Sequence, residues 1–152
     1  MSRRSGVVAG LVVVVLACAL AGCASGSTSR DVAMPGLELA ASADAAAVWE
    51  PGAVAAPGTY EVIMTGARVR GARWGEDEFG EPALEIQLDE DGARRLEEWT
   101  AANVDSQLLF ILDGTVISAP VVVRTIDDGH LQMSPRDEIT RDRLDGAMVP
   151  RG

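Results

Sequence analysis

The chain has 152 residues, a formal net charge of −10 at pH 7 and two cysteines. It is long enough for one domain with a hydrophobic core, and its acidity makes it a poor partner for nucleic acid or for anionic lipid head groups, since both would repel it. Both cysteines, Cys18 and Cys23, lie near the N-terminus, so no disulfide is predicted elsewhere and the fold depends on its core.

The N-terminus has the parts of an export signal in the expected order. Arg3 and Arg4 precede an uncharged apolar run over residues 7–20, which is shorter than the roughly 18 to 20 residues that cross a bilayer. A Leu-Ala-Gly-Cys sequence at residues 20–23 follows, and it resembles the lipobox of bacterial lipoproteins. An ordinary cleaved signal and an uncleaved anchor are the alternatives.

The lipobox resemblance implies cleavage between Gly22 and Cys23 and a lipid on the Cys23 thiol. Residues 1–22 are then a signal peptide whose removal takes two of the 13 basic residues and leaves 11 against 23 acidic ones, a net charge of −12. The mature protein is expected at the cell membrane, on its extracytoplasmic face, attached through the N-terminal lipid.

Residues 23–57 are predicted to be a flexible tether. Alanine, glycine, serine and proline dominate this segment, and such a composition offers few large side chains to bury. Its alanines favour a short helix over residues 37–48. The folded domain is expected over residues 58–150, near the lower end of the usual domain size.

The first part of that domain has strand and helix patterns. Alternating apolar and polar residues predict strands over residues 60–64 and 84–88. The intervening residues 68–81 are polar and rich in glycine, which favours a loop or a short turn of helix. Asp89 is a suitable N-cap, and apolar residues at helical spacing after it predict a helix over residues 90–103.

A tight hairpin is predicted next, over residues 108–117. Asp113-Gly114 suits a two-residue type I′ turn, because both central positions of that turn need a positive φ. Pro120 lacks an amide hydrogen, so the chain is expected to bend at residues 118–120. Later patterns predict an extended run, a strand and a helix, over residues 121–126, 131–133 and 137–144. The order of elements predicts an α+β fold, a small antiparallel or mixed sheet with one or two helices packed on one face.

No catalytic residue, cofactor or metal site is predicted. His130 is the only histidine and follows a turn glycine, which is typical of an exposed loop residue. No serine lies in a nucleophile-elbow sequence, and the acidic residues 89–91 precede a helical pattern instead of completing a calcium loop. A hydrolase with paired carboxylates is the enzymatic alternative, for which Trp74 and Trp99 are the aromatic candidates to line a sugar cleft.

Residues 82–120 resemble the head subdomain of the first periplasmic domain of SecD, an accessory subunit of the bacterial protein-export machinery. The shared features are the acidic helix start Leu-Asp-Glu-Asp-Gly-Ala (88–93), Thr-x-x-Asn (100–103), Leu-Asp-Gly (112–114) and Val-Ile-Ser-Ala-Pro (116–120). Weaker matches, beginning with Met64-Thr65-Gly66, extend the similarity to residues 60–150. The chain departs from the pattern at Asp105-Ser106, where the family usually has a glycine, and at His130, which replaces the second glycine of a late turn.

The resemblance implies a non-enzymatic module that meets unfolded secreted polypeptides, or other parts of the export machinery. Such a module binds a peptide by strand addition at an exposed edge, or in a shallow apolar groove. The residues expected to shape that site are Asp113, Gly114, Ser118, Ala119 and Pro120, for which a purely structural role in the turn and bend is the alternative. A different envelope partner, a cell-wall component or a small ligand, is the alternative function, because a fold does not fix a function.

Overall fold

The computed structural model describes residues 30–151. The predicted signal peptide, its cleavage site and Cys23 lie outside the described residues. In chain order the elements are β1 (Arg30–Ala33), β2 (Leu37–Ser42), β3 (Tyr60–Thr65), β4 (Val69–Glu76), β5 (Pro82–Leu88), α1 (Glu90–Ala102), β6 (Leu108–Leu112), β7 (Thr115–Ser118), β8 (His130–Met133), α2 (Glu138–Ala147) and β9 (Val149–Pro150), with a 3-10 turn at Gly66–Arg68.

The strands form two antiparallel sheets. One has five strands in the order β8-β5-β4-β1-β9, and the other has four in the order β3-β2-β6-β7. Both helices contribute to the core that the sheets share: Leu96 of α1 and Leu144 of α2 are fully buried in it. The predicted α+β class is confirmed, with the strands divided between two sheets. Within residues 30–151, neither helix is long and apolar enough to cross a bilayer.

Strand β6 is buried on both faces, so the four-stranded sheet has two covered sides. Leu108, Phe110 and Leu112 pack into the shared core, whereas Leu109 and Ile111 point into a second, smaller cluster. Residues 43–59 cover that second cluster, with Ala55 buried in it and Trp49 packed against it. This arrangement explains why β6 reads as a continuous apolar run.

The prediction of a flexible tether is wrong for residues 30–57. β2 pairs with both β3 and β6 at the centre of its sheet, and its Leu37, Leu39 and Ala40 are fully buried. The helix expected over residues 37–48 is therefore replaced by a strand. Alanine is a helix former in isolation, but its small side chain also fits a central strand that is packed on both faces.

Gly66 explains how the N-terminal strands join the rest of the domain. A Cβ atom on Gly66 would lie 1.7 Å from the carbonyl oxygen of Met34, a distance that no substituted residue can accept. The amide of Met34 also donates to the carbonyl of Gly66 at 3.2 Å. The Met-Thr-Gly sequence thus marks the point where the backbone between β1 and β2 crosses the end of β3 in close contact.

Most of the other predicted elements are confirmed. The structure contains both predicted helices and the strands predicted near residues 60, 84, 108, 115 and 131. Asp89 caps α1 as predicted, because its side chain accepts a hydrogen bond from the amide of Gly92 at 2.7 Å. The prediction of a loop or a short turn of helix over residues 68–81 is wrong, because β4 occupies most of that segment. Trp74 anchors that strand: its indole donates to Asp145 of α2 at 3.2 Å, with the Arg141 guanidinium 5.1 Å from its ring centre.

The hairpin between β6 and β7 has the predicted geometry. Asp113 and Gly114 have φ values of 49° and 80°, as a type I′ turn requires. The register shifts between Phe110 and Ile111, and beyond this bulge the chain bends through Pro120. Residues 121–126 are extended, as predicted. Within this segment only Val121 forms a β-bridge, with Gln107 as its partner.

Candidate peptide-binding groove

A shallow apolar groove lies beside Pro120, between the extended residues 120–126 and β8. Its floor is made of core side chains from β6 and β8, and its rim is made of the extended segment. The lining residues are Leu108, Phe110, Pro120, Val121, Val122, Val123, Arg124, Ile126, Leu131 and Gln132. Leu108, Phe110 and Leu131 are almost fully buried, so the floor is fixed by the packing of the fold.

β8 borders this groove and is an edge strand. It pairs with β5 through residues 130–133, and no strand within residues 30–151 pairs with its other side. An edge strand presents unpaired amide and carbonyl groups at alternate residues, which an extended peptide can use for main-chain hydrogen bonds. The groove therefore places apolar surface next to a free strand edge.

The size and exposure of the groove suit a surface-bound peptide. It encloses only about 20 Å³, roughly the space that one water molecule needs, so it does not enclose a small ligand. Val121 and Val123 on its rim are 49% and 58% exposed. Exposed valines beside an edge strand offer an apolar contact to every second side chain of an added strand.

Thr100 holds one end of the rim. Its hydroxyl accepts a hydrogen bond from the amide of Ile126 at 2.9 Å and donates to the carbonyl of Leu96 at 2.7 Å. Asn103 ends α1 nearby, with its backbone amide donating to the Thr100 carbonyl. The Thr-x-x-Asn sequence therefore joins the helix to the groove, a role that its spacing alone did not predict.

Gln107 and its neighbours hold the other end. The Gln107 side-chain amide donates to the carbonyls of Ala119 and Trp49, each at 3.0 Å, and its oxygen accepts from the Trp49 amide at 2.8 Å. The Leu108 amide donates to the Pro120 carbonyl at 2.9 Å. The bend at Pro120 is thus held by the backbone of Leu108 and by the side chain of Gln107, which the sequence analysis did not single out.

The residues predicted to shape the site are only partly brought together. Pro120 lines the groove, and Ser118 and Ala119 precede it at the bend. Asp113 and Gly114 lie at the opposite end of β7, where the Gly114 carbonyl accepts a hydrogen bond from the amide of Ala55 at 2.8 Å.

The outer edge of β7 is closed by residues 52 and 53 of the chain itself. The Gly52 amide donates to the Val116 carbonyl at 2.7 Å, and the Val116 amide donates to the Ala53 carbonyl at 2.9 Å. An added peptide strand would have to displace these bonds. The free edge beside Pro120 belongs to β8.

A second, polar depression lies on the face of the five-stranded sheet. Its volume is about 540 Å³, and an ion pair between Arg73 and Glu85 lies within it. His130 also lines it, as an exposed residue at the start of β8 and not within a loop. Residues 30–151 contain no group of three or more His, Cys, Asp or Glu side chains placed to hold a metal ion.

Three side chains have shifted pKa values, and each shift has a local structural cause. Burial raises the pKa of Tyr60, and the neighbouring Glu38 carboxylate adds to the effect. Hydrogen bonds from the Glu81 and Phe79 amides lower the pKa of Asp77, and those from Thr140 lower the pKa of Asp137. Asp77 closes the turn between β4 and β5, and Asp137 caps α2, so both shifts reflect local folding.

A family model described as "SecDF, P1 head subdomain" matches residues 48–141. The chain belongs to this family. Among similar proteins, SecD of Acidaminococcus fermentans is 35% identical over 72 residues, which cover 47% of this chain and 17% of that protein. SecDF of Thermus thermophilus is 37% identical over 68 residues, covering 45% and 9%. The chain spans less than a fifth of the length of these relatives.

Solved structures of SecDF share the fold. The super-membrane-facing form of SecDF superposes with a TM-score of 0.61 at 23% identity, covering 78% of this chain and 18% of that one. A structure of SecDF described as a membrane component that enhances protein export gives 0.57 at 23% identity, covering 76% and 61%. The relatives are protein translocase subunits, and membership of their family supports the prediction of a non-enzymatic module.

Proposed function

We propose that this SecDF-head family member is a lipid-anchored, extracytoplasmic module that binds unfolded segments of polypeptides during protein export. The observation that carries the proposal is the free edge of β8 beside the groove lined by Pro120, Val121 and Val123. The proposal concerns the head alone, because the chain corresponds to a small part of the translocase subunits that it resembles.

Strand addition at β8 gives the module the selectivity that export needs. Main-chain hydrogen bonds to the edge of β8 are available to any extended polypeptide, whatever its sequence, whereas a folded protein has already used its backbone groups. The valines at the groove rim favour apolar segments, which are hidden in folded proteins and exposed in unfolded ones. The rigid rim, fixed by Thr100 and Gln107, lowers the entropic cost of binding.

A binding measurement with purified protein tests this proposal. An extended apolar peptide should bind the wild-type chain, and the same peptide with N-methyl groups on alternate amides should not, because its donors to the strand edge are removed. Val121→Asp and Val123→Asp should each weaken binding by about fivefold, roughly the loss of 1 kcal/mol of apolar contact. The matched control is Ile139→Asp, which replaces a 73% exposed aliphatic residue of α2 and should bind normally.

The same assay separates the alternatives. Equal affinity for the N-methylated peptide would exclude strand addition. Binding of a cell-wall fragment without binding of any unfolded peptide would replace an export partner by a wall partner.

A further inference from the structure

We propose, on the basis of the function proposed above, that β8 accepts a strand of alternating pattern in one fixed register. A polar residue of the bound segment lies opposite Gln132, antiparallel to β8, and the apolar residues on either side of it lie over the groove. The directions of the backbone groups of β8 and the chemistry of its two faces determine this register.

The hydrogen bonds between β5 and β8 show which backbone groups of β8 are free. The amide of Leu88 donates to the carbonyl of Gly129 at 2.9 Å, in register with the antiparallel ladder that joins the two strands. Hydrogen-bonded and non-hydrogen-bonded pairs alternate along such a ladder. Leu131 is therefore bonded to β5, whereas His130 and Gln132 direct their amides and carbonyls away from it.

One of these outward groups is already used within the chain. The Asp128 carboxylate accepts a hydrogen bond from the amide of His130 at 3.0 Å. Among residues 130–133, Gln132 is thus the one whose amide and carbonyl both remain for an added strand.

An antiparallel strand matches this edge. Every strand pair in the five-stranded sheet is antiparallel, and antiparallel pairing is slightly more stable per residue than parallel pairing. In that arrangement the residue opposite Gln132 exchanges two main-chain hydrogen bonds with it, and the amides of the two neighbouring residues point away from β8.

The two faces of β8 differ in chemistry. Leu131 and Met133 are buried in the core, and Leu131 also lines the groove. The other face carries Gln132, which lies next to Glu85 of β5, and borders the polar depression that Glu85 and His130 line. Side chains of an added strand alternate in step with those of β8. The residue opposite Gln132 therefore projects to the polar face, and its neighbours project over the groove.

The charges near β8 favour a basic side chain over an acidic one at the polar position. Asp127 and Asp128 are exposed just before the strand. Of the nearby basic residues, Arg73 pairs with Glu85, and Arg124 lies on the groove side. The whole chain has 23 acidic and 13 basic residues, so its long-range field also attracts cations.

The class of polypeptide that fits is an amphipathic strand, with apolar residues at every second position and neutral or basic polar residues between them. Half-buried strands of folded proteins have this pattern. Membrane-spanning segments are continuously apolar, so half of their side chains would lie on the polar face of β8. The edge thus favours segments of exported proteins that later fold in water.

A binding titration with the mature full-length protein and synthetic peptides tests the register. The probe alternates valine with lysine and threonine. N-methyl groups on every lysine and threonine should weaken its binding about tenfold, because the bonds to Gln132 are lost. N-methyl groups on every valine should change binding little, because those amides point away from β8. A peptide of the same composition with its valines in one block should bind about fivefold more weakly.

Substitutions at residue 132 separate the backbone from the side chain. Gln132→Pro removes the outward amide and no bond to β5, and an edge strand tolerates proline at such a position. Binding of the probe should fall about tenfold. Gln132→Ala keeps the amide, so it is the matched control and should bind normally. Circular dichroism checks that both variants keep their strands.

The methylated peptides decide the outcome even if the proline variant does not fold. Equal binding of the alternating and block peptides would overturn the inference, and so would valine methylation that weakens binding as much as lysine and threonine methylation. If none of the unmodified peptides binds, the proposed function fails as well.

Discussion

The hydroxyl of Thr100 bonds to the amide of Ile126 at 2.9 Å, across 26 residues of sequence. Thr100 is fully buried on α1, and Ile126 ends the rim of the groove. A helix that lies away from the groove therefore fixes the position of the segment that would contact a bound peptide.

Replacing Thr100 by valine should loosen the rim. The Ile126 amide would lose its partner in a buried position, which costs about 1 to 3 kcal/mol of unfolding free energy, and peptide affinity should fall. Thr100→Ser keeps the hydroxyl and should keep the Ile126 amide protected from hydrogen exchange. Unchanged protection of that amide in Thr100→Val would show that the bond does not hold the rim.

Gly66→Ala should destabilise the whole domain. Its Cβ would overlap the Met34 carbonyl oxygen, so β1 and β2 must separate from β3, and the loss should exceed about 3 kcal/mol in urea unfolding. Gly146→Ala is the matched control, because a Cβ there meets no atom within 4 Å and alanine is favoured over glycine in a helix by up to about 1 kcal/mol. Equal stability of the two variants would refute the close crossing at Met34.

Asp105→Gly should stabilise the protein. Asp105 has a φ of 72°, in the left-handed region that glycine occupies without strain. Relief of this strain should raise the unfolding free energy by about 0.5 to 1 kcal/mol. Asp105→Ala removes the same charge but keeps the strain, so it should not stabilise; a gain of the same size in both variants would assign the effect to charge.

Lowering the pH should remove the stabilisation that two hydrogen-bonded carboxylates give to the folded state. The pKa values of Asp77 and Asp137 are lowered in the folded state by the backbone amides that they accept from. Their stabilisation is present above the unfolded pKa, about 3.9, and is lost as pH falls through the lower folded pKa. Asp77→Asn and Asp137→Asn should therefore reduce the pH dependence of unfolding below about pH 4.

The sequence predicted the elements whose patterns are local. Asp89 followed by acidic residues specifies the start of α1, and Asp113-Gly114 specifies the type I′ turn, because each depends on a few adjacent residues. The same reasoning failed for β2, since its alanines read as helix or tether, and only pairing with β3 and β6 makes them a strand. Alanine carries too little side chain to reveal a buried position.

The groove was predicted only through Pro120. Gln107 and Thr100 act on residues 12 and 26 positions away, and no periodicity links such pairs. The covered edge of β7 and the free edge of β8 likewise depend on where residues 52–55 return, which a local pattern does not contain.

Crosslinking in living cells from the rim of the groove tests the central claim most directly. A photoreactive amino acid at Val123 should capture newly exported polypeptides, and one at Ile139, an exposed aliphatic residue on α2, should capture far fewer. Crosslinks from Val123 should disappear when export is blocked. Equal crosslinking from both positions, or no polypeptide captured from Val123 while export proceeds, would contradict the account.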